Sequence, residues 1–242
     1  MGASVLLDGQ ESHHALGVLR LAAGDPVRLC NGAGQMAEAV LETVGKRQAR
    51  ARVLEVQTRP RKAFEIILAL GLSKPKAMEF VIQKATELGV NRLLLVACAR
   101  SVSRLEGHEL EAKSQKWRSI AIEALKQCGG FWLPLIEVFP RMQTCLDREK
   151  AAESRWVAAL DGNPKHPREC LNLAARERGR FPRSVEVWIG PEGDFTAEER
   201  SLLTSRGALE VSLGDQTLRT ETAAIYCACV LRYEADSLPP AF

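Results

Sequence analysis

The order of apolar and polar positions changes character near residue 60. Before it, short alternating runs such as LGVLRLAAGDPVRLCNG, QMAEAVLETV and QARARVLEVQ are separated by G-D-P, N-G-A-G and V-G-K-R, which predicts a small, all-β unit shaped as a barrel. From Phe64 onward the strands are nearly continuous in apolar residues. FEIILALG, RLLLVAC, LPLIEVF, RWVAAL, SVEVWIG and LEVSLG follow one another, mostly with helical segments between them. One of these begins at Pro75 and repeats Met78, Ile82, Ala85 and Leu88 at helical spacing, with Gly89 near its end. HELEAKSQKWRSIAIEALKQC is a second, long amphipathic helix. Strands apolar on both faces and alternating with helices predict an α/β fold with a parallel sheet. The basic TRPRK, ending at Lys62, serves as the hinge, so the expected domains are 1–62 and 63–242.

Composition narrows the class. Of 242 residues, 46% are hydrophobic and 26% charged, as in an ordinary globular protein, and no apolar run approaches the ~18 residues of a membrane span. The opening MGASVLLDGQESHH lacks the basic start and apolar run of a secretory leader. The seven cysteines are odd in number, scattered and mostly within apolar runs, a pattern of reduced thiols rather than a disulfide framework. A cytoplasmic protein without a metal site or membrane partner is expected. The net charge is only +3, but Lys46, Arg47, Arg50, Arg52, Arg59, Arg61 and Lys62 face a single acid, Glu55, between residues 45 and 62. Such a cluster reads either as a phosphate-facing surface or as a solvated strand with a basic linker.

In a parallel sheet, ligands bind beyond the carboxyl ends of the strands. Three strand ends stand out: RWVAAL running into Asp161, EVWIG into PEGDFTAEE, and VSLG into DQTLRTETA. Gly190 and Gly193 bracket a turn of bare backbone, and Thr196 with Glu199 forms a capping box for the next helix. Such a backbone slot suits the hydrogen-bonding edge of an adenine. The phosphate loop G-x-x-x-x-G-K-[ST], the dinucleotide G-x-G-x-x-G and the hydrolase G-x-S-x-G are all missing.

I-G-P-E-G followed by L-G-x-x-x-L-R-x-E-T-A resembles the RsmE family, the 16S ribosomal RNA (uracil-N3) methyltransferases of the SPOUT superfamily. HALGVLRLAAGD (14–25), KAMEFVIQKATELGV (76–90) and WRSIAIEALKQCGG (117–130) are similar to further family signatures, so the likeness spans nearly the whole chain. It implies a PUA-like, RNA-binding barrel and an α/β domain with a deep trefoil knot around S-adenosylmethionine. By position, Leu160 and Asp161, Ile189, Gly190, Pro191, Glu192 and Gly193, then Val211, Leu213, Gly214, Leu218 and Thr220 would line the cofactor pocket. Arg219 and Glu221 would face the target base, and Arg20, Arg47, Arg50 and Arg52 would contact RNA. A homodimer acting on 16S rRNA within a small-subunit particle is implied as well. The alternatives are another SPOUT enzyme with a tRNA or ribose target, or a non-catalytic RNA-binding assembly factor.

The chain departs from the family pattern at three places. Gly130 stands where an arginine is frequent, Asp194 where a third glycine is common, and the N-terminus is short, without an arginine-bearing opening strand. Two readings also stand for the central pair. Glu221 is either a general base or an acid favoured by the helix dipole, and Arg219 either an RNA contact or half of a structural ion pair. A role in the turn is expected for Glu192, and surface or barrel positions for His13 and His14.

Overall fold

A computed structural model describes residues 3–44, 48–101, 107–148 and 152–237. The chain divides into two compact units, one formed by Met1–Arg61 with Gly129–Trp132 and the other by Lys62–Cys128 with Leu133–Phe242.

The first unit is built on a four-stranded antiparallel sheet of β1 (Ser4–Leu6), β2 (Pro26–Cys30), β3 (Gln35–Val44) and β4 (Gln48–Thr58), in the order β1-β4-β3-β2. Its inward face carries Met36, Ala39, Leu41, Ala49 and Ala51, which recur on alternating residues of the two long strands apart from a register shift between Glu38 and Ala39. Among the described residues β1 and β2 do not pair, so hydrogen bonding leaves the sheet open. Among the described residues the opening strand is the three-residue β1, which carries no arginine, as expected.

One expectation fails from Leu16 onward. The LGVLR run read as a strand begins instead in a π-helical turn, His14–Val18, which continues α1 (Gly9–His13), itself capped by Asp8. The buried Ser12 explains the difference: its hydroxyl donates to the Leu7 carbonyl and accepts from the Ala49 amide, pinning a helix against β4. Arg20 therefore follows a helical turn, exposed, with φ 56.

Gly129–Trp132 joins this unit through the Phe131 carbonyl, which accepts from the Gly34 amide, and through an isolated bridge between Ala33 and Trp132. Gly34, at φ +96, lies so close to the indole that a Cβ would come within 2.4 Å of Trp132 Cζ2. The Arg59 and Arg61 guanidinium groups lie over the Phe131 and Trp132 rings at 4.4 and 4.8 Å. Two of the three basic residues of the hinge thus lie against aromatic partners.

The second unit holds six parallel strands: β5 (Glu65–Gly71), β6 (Arg92–Val96), β7 (Leu135–Phe139), β8 (Ser154–Ala158), β9 (Ser184–Ile189) and β10 (Ala208–Val211). Their order is β10-β8-β9-β5-β6-β7, with every neighbouring pair parallel. Alternate residues of β5 enter two separate cores, Ile66, Leu68 and Leu70 on one face and Ile67 and Ala69 on the other. Helices α2 (Pro75–Glu87), α3 (Gly107–Cys128), α5 (Pro167–Arg178) and α7 (Thr220–Asp236) contribute to the first core, and α4 (Met142–Arg148) and α6 (Ala197–Ser205) to the second. Cys227 and Cys229 of α7 face opposite ways. The first is buried, its thiol pushed up to about 12, and the second is exposed.

Arg155 of β8 and Glu186 of β9 lie directly opposite each other and form a buried ion pair inside the sheet. Glu186 also accepts from the Trp188 indole, while Arg155 donates to the Arg206 carbonyl. Removing one partner strands the other charge without solvent. Glu186→Ala is expected to cost about 3–5 kcal/mol in urea unfolding, with Glu186→Gln costing less.

Candidate active site

Four neighbouring strands, β10, β8, β9 and β5, end on the same edge of the sheet, and the segments leaving them enclose a cavity of about 780 Å³. That size falls within the range of ligand pockets. Ala158, Ala159 and Leu160 line it from the end of β8, and Ile189, Gly190, Pro191, Glu192 and Asp194 from the end of β9. Leu213, Gly214 and Leu218, from the stretch after β10, form a third side, continued by Arg219, Thr220, Glu221 and Ala223 as α7 begins. The Gly190 and Gly214 bends, 24 residues apart in sequence, therefore line one shared cavity. Gly214 has φ +109, a backbone region that side chains disfavour.

Packing of the backbone shapes these walls. The buried Thr220 hydroxyl donates to the Gly190 carbonyl at 3.0 Å, tying the start of α7 to the end of β9. A Cβ on Gly71, the last residue of β5, would meet Pro191 Cδ at 2.4 Å, and one on Gly190 would meet Asp194 Oδ1 at 2.7 Å. The capping box expected at Thr196 and Glu199 forms at the start of α6, and the Glu199 carboxylate also accepts from the Ala99 amide. Glu192 accepts from the Lys74 amide at 3.1 Å, so its carboxylate satisfies the backbone donor of the N-cap residue of α2, whose own side chain makes no capping bond.

Three residues expected along the pocket lie elsewhere. Asp161 points away into an ion pair with Arg200. Gly193 lies against the Arg100 side chain, which donates to its carbonyl at 2.8 Å. Val211 is fully buried in the core behind the wall. Conversely, the sequence reading missed Lys74, Lys76, Ala77 and Phe80 of the first turns of α2, which close another side of the cavity. Their signal was the Pro75 helix start, but placing it here requires knowing that β5 lies beside β9. Phe80, 45% exposed, is the one aromatic ring among the described residues that line the cavity.

Arg219 is the N-cap residue of α7, yet its side chain makes no capping bond, and Glu221 follows in the first turn. Among the described residues neither side chain is held in an ion pair or side-chain hydrogen bond. The cavity therefore presents an unengaged guanidinium and carboxylate beside apolar slots and glycine backbone. This combination suits a flat, polar-edged ligand in the slot and an acidic, planar group at the mouth. Of the expected RNA contacts, Arg50 and Arg52 are exposed on β4, Arg52 paired with Glu42 at 3.2 Å. Arg47 lies outside the described residues.

Residues 60–232 match the family profile of the RNA methyltransferase domain, and residues 7–54 that of the RNA methyltransferase PUA domain. The fold and cavity are thus those of an RNA methyltransferase that carries an RNA-methyltransferase PUA domain. The chain is 30% identical over 233 residues to ribosomal RNA small subunit methyltransferase E of Bacillus subtilis, covering 96% of this chain and 91% of that protein. It belongs to the ribosomal RNA small subunit methyltransferase E family. Among solved structures, a putative methyltransferase from Legionella pneumophila, in complex with S-adenosylmethionine, superposes with a TM-score of 0.86 at 30% identity over 96% of this chain and 93% of that one. The small subunit methyltransferase E of Neisseria gonorrhoeae, bound to S-adenosylmethionine, gives 0.80 at 25% identity over 96% and 92%.

The tight backbone approaches at the wall are testable without any ligand. Gly71→Ala forces a methyl into Pro191, and Gly190→Ala one into the Asp194 carboxylate and the backbone beside it, and each is expected to cost about 1–3 kcal/mol in urea unfolding.

Proposed function

We propose that this chain transfers a methyl group from S-adenosylmethionine to N3 of one uridine of 16S rRNA in the small ribosomal subunit. The observation that carries the reading is one cavity lined by both the Gly190 and Gly214 bends, with Arg219 and Glu221 also in its lining. In this reading Leu160, Ile189, Leu213 and Leu218 sandwich the adenine, and the backbone at Gly190, Gly214 and Thr220 meets its polar edge. Pro191 and Glu192 complete that wall. Asp161, Gly193 and Val211 act from behind it, as shaping residues. S-adenosylmethionine, once bound, supplies an electrophilic methyl carbon.

Uracil N3 carries a proton and has no free lone pair in its neutral form, so that proton must leave before or during transfer. Glu221, with no ion pair to hold it, is the group we assign to accept it. Arg219 stabilises the negative charge that develops on the flanking uracil oxygens, or grips the adjoining phosphate. The remaining requirement is orientation, which the rigid strand ends supply. N3 lies on the pairing edge of the base, so the target uridine must be unpaired or turned out of its stack.

The wider reading follows the same family likeness. Residues 1–62 act as the PUA-like RNA-binding domain and 63–242 as the SPOUT methyltransferase domain, its strand-end segments threaded as a trefoil knot. The enzyme works in the cytoplasm as a homodimer on a small-subunit particle. We assign the pairing to the outer face of α7, where Tyr226, Cys229 and Tyr233 lie exposed at helical spacing. Arg20, Arg50 and Arg52 contact phosphates, with Arg47 as a further contact. The Arg52–Glu42 pair is exposed, and an incoming phosphate displaces it at little cost.

The test is nucleoside mass spectrometry on unmethylated small subunits incubated with the protein and S-adenosylmethionine. One N3-methyluridine per 16S rRNA is expected. Glu221→Gln should lower the single-turnover rate by about 10²–10⁴-fold without a comparable loss of cofactor affinity. Methylation at any other atom contradicts the assignment. Arg50→Ala with Arg52→Ala should weaken RNA binding and flatten its dependence on log salt by about 1 to 2. Binding unchanged at all salt concentrations removes this strand from the RNA surface.

A further inference from the structure

The turn that follows β9 closes in an unusual way. The Asp194 amide donates to the Pro191 carbonyl at 2.8 Å, and Asp194 itself sits at φ 59. Glycine occupies that left-handed region freely, whereas an aspartate there is strained unless its surroundings hold it. Its carboxylate folds back over the turn. Oδ1 accepts from the Phe195 amide at 2.7 Å and occupies the space where Gly190 would carry a Cβ. Oδ2 accepts from Arg200 Nη2 at 3.2 Å.

The other terminal nitrogen of Arg200 donates to Asp161, in the segment leaving β8. One guanidinium thus joins two adjacent strand ends that border the cavity. Asp161 is 78% exposed, so water screens that bond, while the Arg200 and Asp194 side chains are only 21% and 28% exposed. Glu210 adds a third negative charge near the guanidinium. Arg200 stands on a firm base, since α6 starts with a capping box and Glu199 anchors it to the Ala99 amide.

We propose that Arg200 is a positioning residue for the cofactor wall: by tethering Asp194 in the left-handed conformation, it sets the Pro191–Asp194 turn in its binding shape before any ligand arrives. The proposal rests on the assignment of this cavity to S-adenosylmethionine. It predicts a dependence that a purely structural arginine would not show, namely that a glycine at position 194 removes the need for Arg200.

The test uses wild type, Arg200→Met, Asp194→Gly and the double variant, with two measurements. The first is amide exchange at residue 194 in the ligand-free protein, and the second is the S-adenosylmethionine dissociation constant by calorimetry. Arg200→Met should speed exchange at that amide and weaken binding about tenfold, the scale of one released backbone strain. Adding Asp194→Gly should restore most of the affinity and the slow exchange, because glycine adopts the turn unaided. Either measurement left unmoved by Arg200→Met overturns the tether, as does a loss that Asp194→Gly fails to relieve. Where Arg200→Met does not fold, Arg200→Lys serves instead, because a single ammonium does not reproduce the forked contact to both carboxylates. A wild-type chain that binds no S-adenosylmethionine contradicts the assignment of the cavity instead, and the exchange rates then decide the tether alone.

Discussion

One buried hydrogen bond, from the Thr220 hydroxyl to the Gly190 carbonyl, fixes the relation on which the site depends. It joins the tip of β9 to the first turn of α7, and so joins the glycine wall of the cavity to the pair Arg219 and Glu221. The flanking residues of Thr220 are the cavity's ionisable mouth, while its own side chain is turned inward and buried. A hydroxyl in that position satisfies a carbonyl that would otherwise be buried without a partner, which is costly. The same short stretch therefore carries a structural contact and the groups assigned to chemistry, on opposite faces.

Much of this was legible in the sequence because the relevant signals are local. Strands buried on both faces read as unbroken apolar runs, and FEIILALG became β5 with alternate residues in two cores. Gly190, Gly214 and the Thr196–Glu199 box mark the loops and helix start around the cavity from composition alone. The parts that were not legible depend on contacts between distant residues. Ser12 turns an apolar stretch into a helix by bonding across to β4, and nothing within ALGVLRL distinguishes that outcome from a strand. Phe80 and the two lysines enter the cavity because β5 neighbours β9, a fact of sheet order rather than of sequence. Gly129–Trp132 belongs with the N-terminal unit through partners about a hundred residues earlier in the chain.

The ionic groups near the site divide by engagement. Glu192, Glu199, Asp161, Asp194 and Arg200 all hold backbone or one another, and each braces a turn or a helix start. Among the described residues, the Arg219 and Glu221 side chains hold neither an ion pair nor a side-chain hydrogen bond. The proposed proton transfer calls for such uncommitted groups, since a carboxylate already satisfied by an arginine is a weak base. Of these braces Glu192 and Asp194 line the cavity, and Arg219 and Glu221 stand where α7 begins.

The most direct test of the account lies in the ribosomal RNA of cells deprived of this protein. Mass spectrometric mapping is expected to show a single N3-methylated uridine missing from the small-subunit RNA, restored by the wild-type chain and not by Arg219→Ala. An unchanged set of base methylations in those cells, or the loss of a ribose or transfer-RNA methyl group in its place, would contradict it.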